Sequence, residues 1–390
     1  MFKNINCKNL PSLRRNIVYQ FLYELLIVFI PLFTIPYVSR VLGAENIGLF
    51  SYTYAVANYF VLFANLGIKN YGSRTIAMVR NNKEELNRNF SEILSIHIIF
   101  SIIVIFVYLV LLFFFVEDNL VIFLIQSIYV FAAVFDINWF FFGIEKFKLT
   151  VGRNTLVKIL SVFLVLVFVK TQTDLWIYAL ILALSVFVGQ SVVWFALKQY
   201  VSWRRPSWAN MKQHIRPLFV LFLPILALSL YKYMDKIMLG SISSNVQVGF
   251  YENAEKIINV PMSLIMAFGV VLMPRIANMV TSKDKGEVFK LIDMSMEAVM
   301  LLAIAISFGL AGISFVLAPI FFGYEFEECG ILIMGLAVTV PFMAFANVIR
   351  TQYLIPYKED KIFVVSLFLG AAVNLIVNII VRWQKMALLV

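Results

Sequence analysis

Six charged side chains interrupt an otherwise apolar stretch: Lys232, Asp235, Lys236, Glu252, Glu255 and Lys256. A charge at the centre of a bilayer costs about 2.5–3.5 kcal/mol or more unless it is paired or hydrated, so charges inside apolar runs mark candidate working residues. Lys232 and Lys236 are four apart and Asp235 is three from Lys232, which places them on one helix face; Glu252 and Lys256 repeat the spacing. Two roles fit this pattern. The face could line a water-filled cavity, where surplus ammonium groups hold a pyrophosphate and paired carboxylates limit the desolvation cost. The same side chains could instead snorkel to the outer interface and anchor two helix ends, since Lys236 and Glu252 lie close to the intervening loop.

Other candidates are scattered. Glu24 and Asp136 each sit in an apolar run and could couple transport to a proton or sodium gradient, or could be hydrogen-bonded between helices. Asn138 and Trp139 beside Asp136 point to a packed polar knot. Arg40, at the end of the first run, could close a gate, bind phosphate or rest at the interface. Arg74 and Arg350 fit topology determinants or greeters of an anionic head group. Pro31, Pro36, Pro224 and Pro261 lie within apolar runs, where proline bends a helix as a hinge or as a static kink. His97 and His214 have no partner at metal-ligand spacing, and Cys7 with Cys329 are too few for a disulfide framework. His97 reads as a helix-packing residue. No metal or cofactor is expected.

The elements that must position these residues are helices in lipid. Of 390 residues, 62% are hydrophobic and 14% charged, with a mean hydropathy of +0.90. Soluble domains carry about 25% charged residues, so this chain has too little polar sequence to cover a water-facing globule. The net charge of +10 lies between apolar runs and forms no patch with interleaved reading residues, which excludes nucleic-acid binding. A spanning helix needs about 20 apolar residues. Eleven runs qualify: 16–38, 47–67, 92–116, 119–142, 151–169, 175–197, 217–240, 250–274, 296–320, 330–349 and 362–381. They are too long, and alternate too little, for barrel strands. The fold class is therefore an all-α polytopic membrane protein.

Most of the 32 basic residues fall in alternate loops, including Lys69 to Arg88, Lys198 to Arg216 and Arg275 to Lys290. The positive-inside rule then puts the N-terminus in the cytoplasm. The first run is too long for a cleavable signal peptide and reads as a signal anchor. After eleven spans the chain should lie outside, yet Arg382 and Lys385 follow, so a truncated or altered C-terminus with its twelfth helix missing is expected. No gap between runs is long enough for a water-soluble catalytic domain, and the chain is not expected to be an enzyme.

The sequence also echoes itself. Pro31…Pro36, Leu42-Gly43, a short polar turn, then Gly48 and Phe50 is answered by Pro224, Leu239-Gly240, a turn, then Gly249 and Tyr251. A separation of about six helices matches the parallel repeats of transporters. The expected organisation is a cytoplasmic N-terminus (1–15), an N-lobe of helices one to six (16–200), a linker (201–216) and a C-lobe of helices seven to eleven (217–390), incomplete by one helix.

Three segments resemble a known family in order along the chain. They are Pro31 to Gly72; Asp136-Ile-Asn-Trp139 through Gly143, Glu145 and Phe147 with Arg153 and Lys158; and Asp235 to Gly240 with Gly249, Tyr251, Ala254 and Lys256. The chain is similar to the polysaccharide transporter family of Wzx-type oligosaccharide flippases, in the multidrug/oligosaccharidyl-lipid/polysaccharide exporter superfamily. That resemblance implies two six-helix lobes in a V around a central cationic cavity, and alternating access between the two membrane faces. It implies a cargo of undecaprenyl-pyrophosphate-linked repeat units of O-antigen, capsule or a related polymer, in the bacterial inner membrane. Membrane lipids are the surroundings, and polymerase and chain-length proteins of the same pathway are candidate partners. On that reading Lys232, Lys236, Lys256, Arg40 and Arg350 hold substrate, while Glu24, Asp136, Asp235, Glu252 and Glu255 couple ions or pair charge. The departure from the family is the missing twelfth helix. A drug or metabolite exporter of the same fold, a membrane glycosyltransferase or polymerase, and an inactive remnant or assembly partner are the competing readings.

Overall fold

The computed structural model describes the backbone of residues 10–281 and 285–387. Side chains are described from residue 32, apart from 147–148, 231, 270–271, 274, 281, 285, 360 and 381–387. Glu24 and Pro31 lie outside the described side chains.

The described residues are helical, with no strand among them. Thirteen α-helices run in order: α1 Leu10–Asn65, α2 Ile68–Val79, α3 Lys83–Phe115, α4 Leu120–Val134, α5 Asn138–Gly143, α6 Phe147–Phe168, α7 Leu175–Leu197, α8 Trp208–Ile242, α9 Asn245–Thr281, α10 Lys285–Phe322, α11 Cys329–Ala337, α12 Thr339–Val348 and α13 Asp360–Ala387. A π-helical turn, Ile349–Leu354, prolongs α12. Among the described residues nine helical stretches are long and apolar enough to cross a membrane. One of them, Leu32–Val79, takes in the end of the first expected run and the whole of the second, and the run expected at 250–274 lies within α9, outside the nine. The protein is a multi-pass α-helical membrane protein. Its exposed surface agrees: Phe106, Phe113, Phe114 and Phe308 stand 67–83% exposed, which only a lipid solvent tolerates in such density.

Two compact units emerge. The first groups residues 53–226 with the start of α1; the second groups 35–52 with 227–390. In the first unit the core is aromatic. Trp139, Phe140 and Phe141 of α5 are fully buried, and Phe90 of α3 stacks on Trp139 with centroids 5.5 Å apart. The motif Asp136 to Gly143 is thus in large part a packing motif. Helix α3 starts with Asn82, whose side chain accepts from the Glu84 and Glu85 amides at 3.1 and 3.3 Å, as a capping asparagine does. At 33 residues and about 1.5 Å per residue it is longer than a 30 Å hydrocarbon slab requires, so its polar first turns lie beyond the apolar span.

The second unit has an aliphatic core. Ile258, Met262 and Ile265 of α9 meet Val299 and Ala303 of α10 and Val340 and Ala344 of α12. Small alanines at these crossings let helices approach closely, which in lipid supplies the packing that the hydrophobic effect cannot.

Candidate functional site

The charged cluster forms in the second unit, on facing turns of α8 and α9. Lys236 reaches Glu252 at 2.6 Å and Glu255 at 2.7 Å, and Lys256 reaches the other Glu252 oxygen at 3.2 Å along its own helix. The Lys236 and Glu252 side chains are only 9% and 15% exposed. Ser51, from α1, donates its hydroxyl to the Glu252 oxygen that also meets Lys236. Two ammonium groups therefore stand against two carboxylates, with a hydroxyl on a remaining lone pair. Burial explains the arrangement: an ion removed from water keeps its charge cheaply only when partners and hydrogen bonds replace the solvent.

Asp235 takes no part in that knot. Its two oxygens accept from Tyr251 at 3.4 Å and from Asn378 of α13 at 3.1 Å, and Asn378 also donates to Asn374 at 3.2 Å. Lys232 is exposed, with its ammonium 5.4 Å from the ring centroid of Tyr233. The spacing that suggested one face thus separates in space into a locked neutral knot at Lys236 and an open cation at Lys232.

What brings α9 to its place is a reciprocal contact between the two echoing segments. Ala44 and Gly48 of α1 stand four residues apart, as do Asn245 and Gly249 of α9. A Cβ added at Gly48 would lie 1.6 Å from the Asn245 carbonyl oxygen; one added at Gly249 would lie 2.1 Å from the Ala44 carbonyl oxygen. Aligning Gly48 with Gly249 makes these one contact seen from both sides, and the same alignment matches Ser51 with Glu252, which bond each other. Asn253 adds a buried bond to Ser39 at 2.9 Å. Small residues spaced by four let membrane helices touch backbone to backbone. Within α1 the helix breaks at Gly43, with φ 77° and ψ 172°, a conformation that suits glycine.

The remaining sequence candidates are dispersed. Arg40 donates to the Ile320 carbonyl at 2.6 Å, and nearby Glu325 accepts from the Ala44 amide at 2.8 Å. Arg350, in the π-helical turn, lies 4.6 Å from the Phe363 ring centroid, and its Nε is buried without a hydrogen-bond partner. In the first unit Asp136 accepts from the Asn138 amide at 3.0 Å and from its side chain at 2.7 Å; Asn138 also bonds Gln190 at 2.8 Å and receives Arg153 at 3.2 Å. This is a polar knot at the start of α5. Pro36 sits in α1 seven residues before the break, Pro224 within α8 beside a second helix proline, Pro217, and Pro261 within α9.

Sequence spacing missed several partners. Ser51, Asn378 and Asn253 are unremarkable as letters, although the internal echo already pairs position 51 with 252. His214, which has no ligand-spaced neighbour, is held by Glu92 at 2.9 Å and by Tyr71 at 2.6 Å in a buried chain that crosses three helices.

The sequence matches the family described as polysaccharide biosynthesis protein over residues 13–280. It is similar to a protein of Escherichia coli (strain K12) that carries the provisional name O-antigen transporter: 26% identical over 362 residues, covering 91% of this chain and 86% of that protein. A protein of the same name from Shigella dysenteriae is 24% identical over 379 residues, covering 93% and 91%. Among solved structures, the lipid II flippase MurJ in an inward closed conformation aligns with a TM-score of 0.70 at 15% identity, over 94% of this chain and 80% of that one. An inward-facing multidrug resistance transporter of the MATE family aligns at 0.56 and 14% identity, over 94% and 98%. At such identities the likeness is one of fold.

Proposed function

We propose a function from the premise that this chain belongs to the polysaccharide biosynthesis protein family, among the polysaccharide transporters of the multidrug/oligosaccharidyl-lipid/polysaccharide exporter superfamily. It translocates an undecaprenyl-pyrophosphate-linked oligosaccharide, of O-antigen or capsule type, from the cytoplasmic to the outer leaflet. The protein sits in the bacterial cytoplasmic membrane with its N-terminus inside, as the alternation of basic loops supports. Its halves, 16–200 and 217–390, joined by 201–216, alternate access between the two faces. It does no covalent chemistry; polymerase and chain-length proteins act on what it delivers.

The observation that carries this reading is the charge cluster on α8 and α9 within a fold that aligns with a flippase. In this reading Lys232 contacts the pyrophosphate, since it is the cluster's exposed ammonium and Lys236 and Lys256 already meet carboxylates. Glu252 and Glu255 keep the neighbouring helices charge-balanced while the cargo passes. Arg40 and Arg350 are further substrate contacts, and Asp136, Asp235 and Glu24 the candidates for ion coupling. Pro36 in α1, ahead of the break at Gly43, and Pro224 within α8 supply hinges.

Deleting the gene in its own host tests the proposal. Surface polymer should disappear while lipid-linked repeat units accumulate on the inner face, and a plasmid copy should restore both. Undiminished polymer, or polymer lost without accumulation of the lipid-linked unit, contradicts it.

A second reading, export of a small molecule by the same fold, gains support from the balance of the cluster. The cluster holds as many carboxylates (Asp235, Glu252 and Glu255) as lysines (Lys232, Lys236 and Lys256), so it carries no net cation surplus to attract an anion. Dye efflux from the deleted and complemented cells separates the two: restored efflux without restored polymer would favour the exporter.

A further inference from the structure

A groove of about 720 Å³ opens in the first unit where α2, the start of α3 and the start of α8 meet. Three arginines line it, Arg74, Arg88 and Arg216, each from a different helix and each exposed. One carboxylate, Glu85, also lines the groove, leaving positive charge in excess. Two other arginines of this unit are paired, Arg80 with Glu145 at 2.6 Å and Arg204 with Glu84 at 3.0 Å. Among the described residues no ion pair occupies the three groove arginines.

The rest of the wall is amphiphilic. Met78, Val220 and Leu221 line the groove as well, so apolar surface adjoins the arginines along the same helices. The floor is rigid. The Tyr71 hydroxyl meets His214 Nδ1 at 2.6 Å, and His214 Nε2 meets Glu92 at 2.9 Å, with the His214 and Glu92 side chains 4% and 1% exposed. Both ring nitrogens of His214 are thus taken up within the chain. This buried chain ties α2 to α8 and α8 to α3, holding the three backbones from which the arginines project. Asn87 and Ser91 add bonds from α3 to the Ser202 and Arg204 amides, at 3.0 and 2.9 Å.

Three guanidinium groups lining one groove, on helices tied by hydrogen bonds, match the charge and fork chemistry of a phosphate. An apolar flank beside them matches an acyl chain. We propose that this groove binds the phosphate-bearing headgroup of an anionic phospholipid. The site is separate from the cluster on α8 and α9 and does not depend on what the protein transports. In the orientation given above it opens at the cytoplasmic leaflet, where anionic lipids attract basic residues close to a span.

The test uses the full chain in a neutral detergent and counts bound dioctanoyl phosphatidylglycerol by native mass spectrometry. One lipid should bind per protein, and zwitterionic dioctanoyl phosphatidylcholine should bind more weakly. Each of Arg74→Gln, Arg88→Gln and Arg216→Gln should weaken binding about fivefold, and the triple variant about a hundredfold. Arg205→Gln, an exposed arginine outside the groove, should change nothing. The melting temperature of each variant checks folding, and the single variants carry the test if the triple one melts early. Equal lipid binding by wild type and arginine variants overturns the proposal, as does equal binding of the two lipids. Displacement of the lipid by inorganic phosphate at matching concentration overturns the lipid as the source of the phosphate.

Discussion

The knot at Lys236 and the groove at Arg74 are both built from basic side chains on membrane helices, yet they resolve charge in opposite ways. At the knot, each ammonium is matched by carboxylates and the Lys236 side chain is 9% exposed. At the groove, three arginines stand open, and the buried pair is a floor beneath them rather than their partner. Burial decides the difference. A charge packed between helices must be neutralised locally, whereas an exposed one can wait for an anion from solvent or lipid. Charged residues inside a transporter are therefore of two kinds, those that hold the fold at a polar spot and those left free to bind.

The largest effect should come from breaking the knot. Lys236→Ala takes their shared cation from Glu252 and Glu255 and leaves Glu252 with Lys256 alone, a loss of about 3 kcal/mol. Protein level in the membrane and melting temperature should both fall. Lys236→Met combined with Glu255→Gln should recover much of the loss, because Lys256 still pairs with Glu252 and no uncompensated charge remains. If Lys236→Ala alone melts like wild type, the knot is not a structural unit and the contrast with the groove fails.

Next in size is the glycine crossing. Gly249→Ala places a methyl group 2.1 Å from the Ala44 carbonyl oxygen, where only a backbone shift makes room. Overpacking of this kind costs about 1–3 kcal/mol. A melting curve shows it, and the Lys236–Glu252 contact should loosen with it, because the crossing positions α9 beside Ser51. An unchanged melting temperature would mean that α9 is held elsewhere.

Much of this was legible from the letters alone. The helices follow from apolar runs of spanning length, and the charge cluster follows from lysines and carboxylates spaced by four. The echo was legible too, but not that its two glycines, Gly48 and Gly249, meet at one helix crossing. Partners far apart in the chain were not legible. Ser51 meets Glu252 across 201 positions, and His214 meets Glu92 across 122, and nothing in local periodicity encodes either. Nor does spacing distinguish Lys232 from Lys236. Both sit on one face by count, and only packing against α9 buries one and leaves the other exposed. The break in α1 falls at Gly43, a residue less conspicuous than Pro36, because a positive φ asks for glycine whereas a helix can carry proline as a bend.

The smallest effect on stability belongs to Lys232. Its ammonium is exposed, so Lys232→Ala should shift stability by no more than about 0.5 kcal/mol and leave protein level unchanged. Its effect on transport should be large by comparison. The direct measurement is leaflet exchange of a fluorescent undecaprenyl-pyrophosphate-linked sugar in proteoliposomes, read by quenching of the outer leaflet. Wild-type protein should carry the lipid across faster than protein-free vesicles, and Lys232→Ala should slow it severalfold at equal reconstitution. Exchange no faster than in empty vesicles would contradict the proposed translocation, and wild-type exchange by Lys232→Ala would remove that lysine from the path.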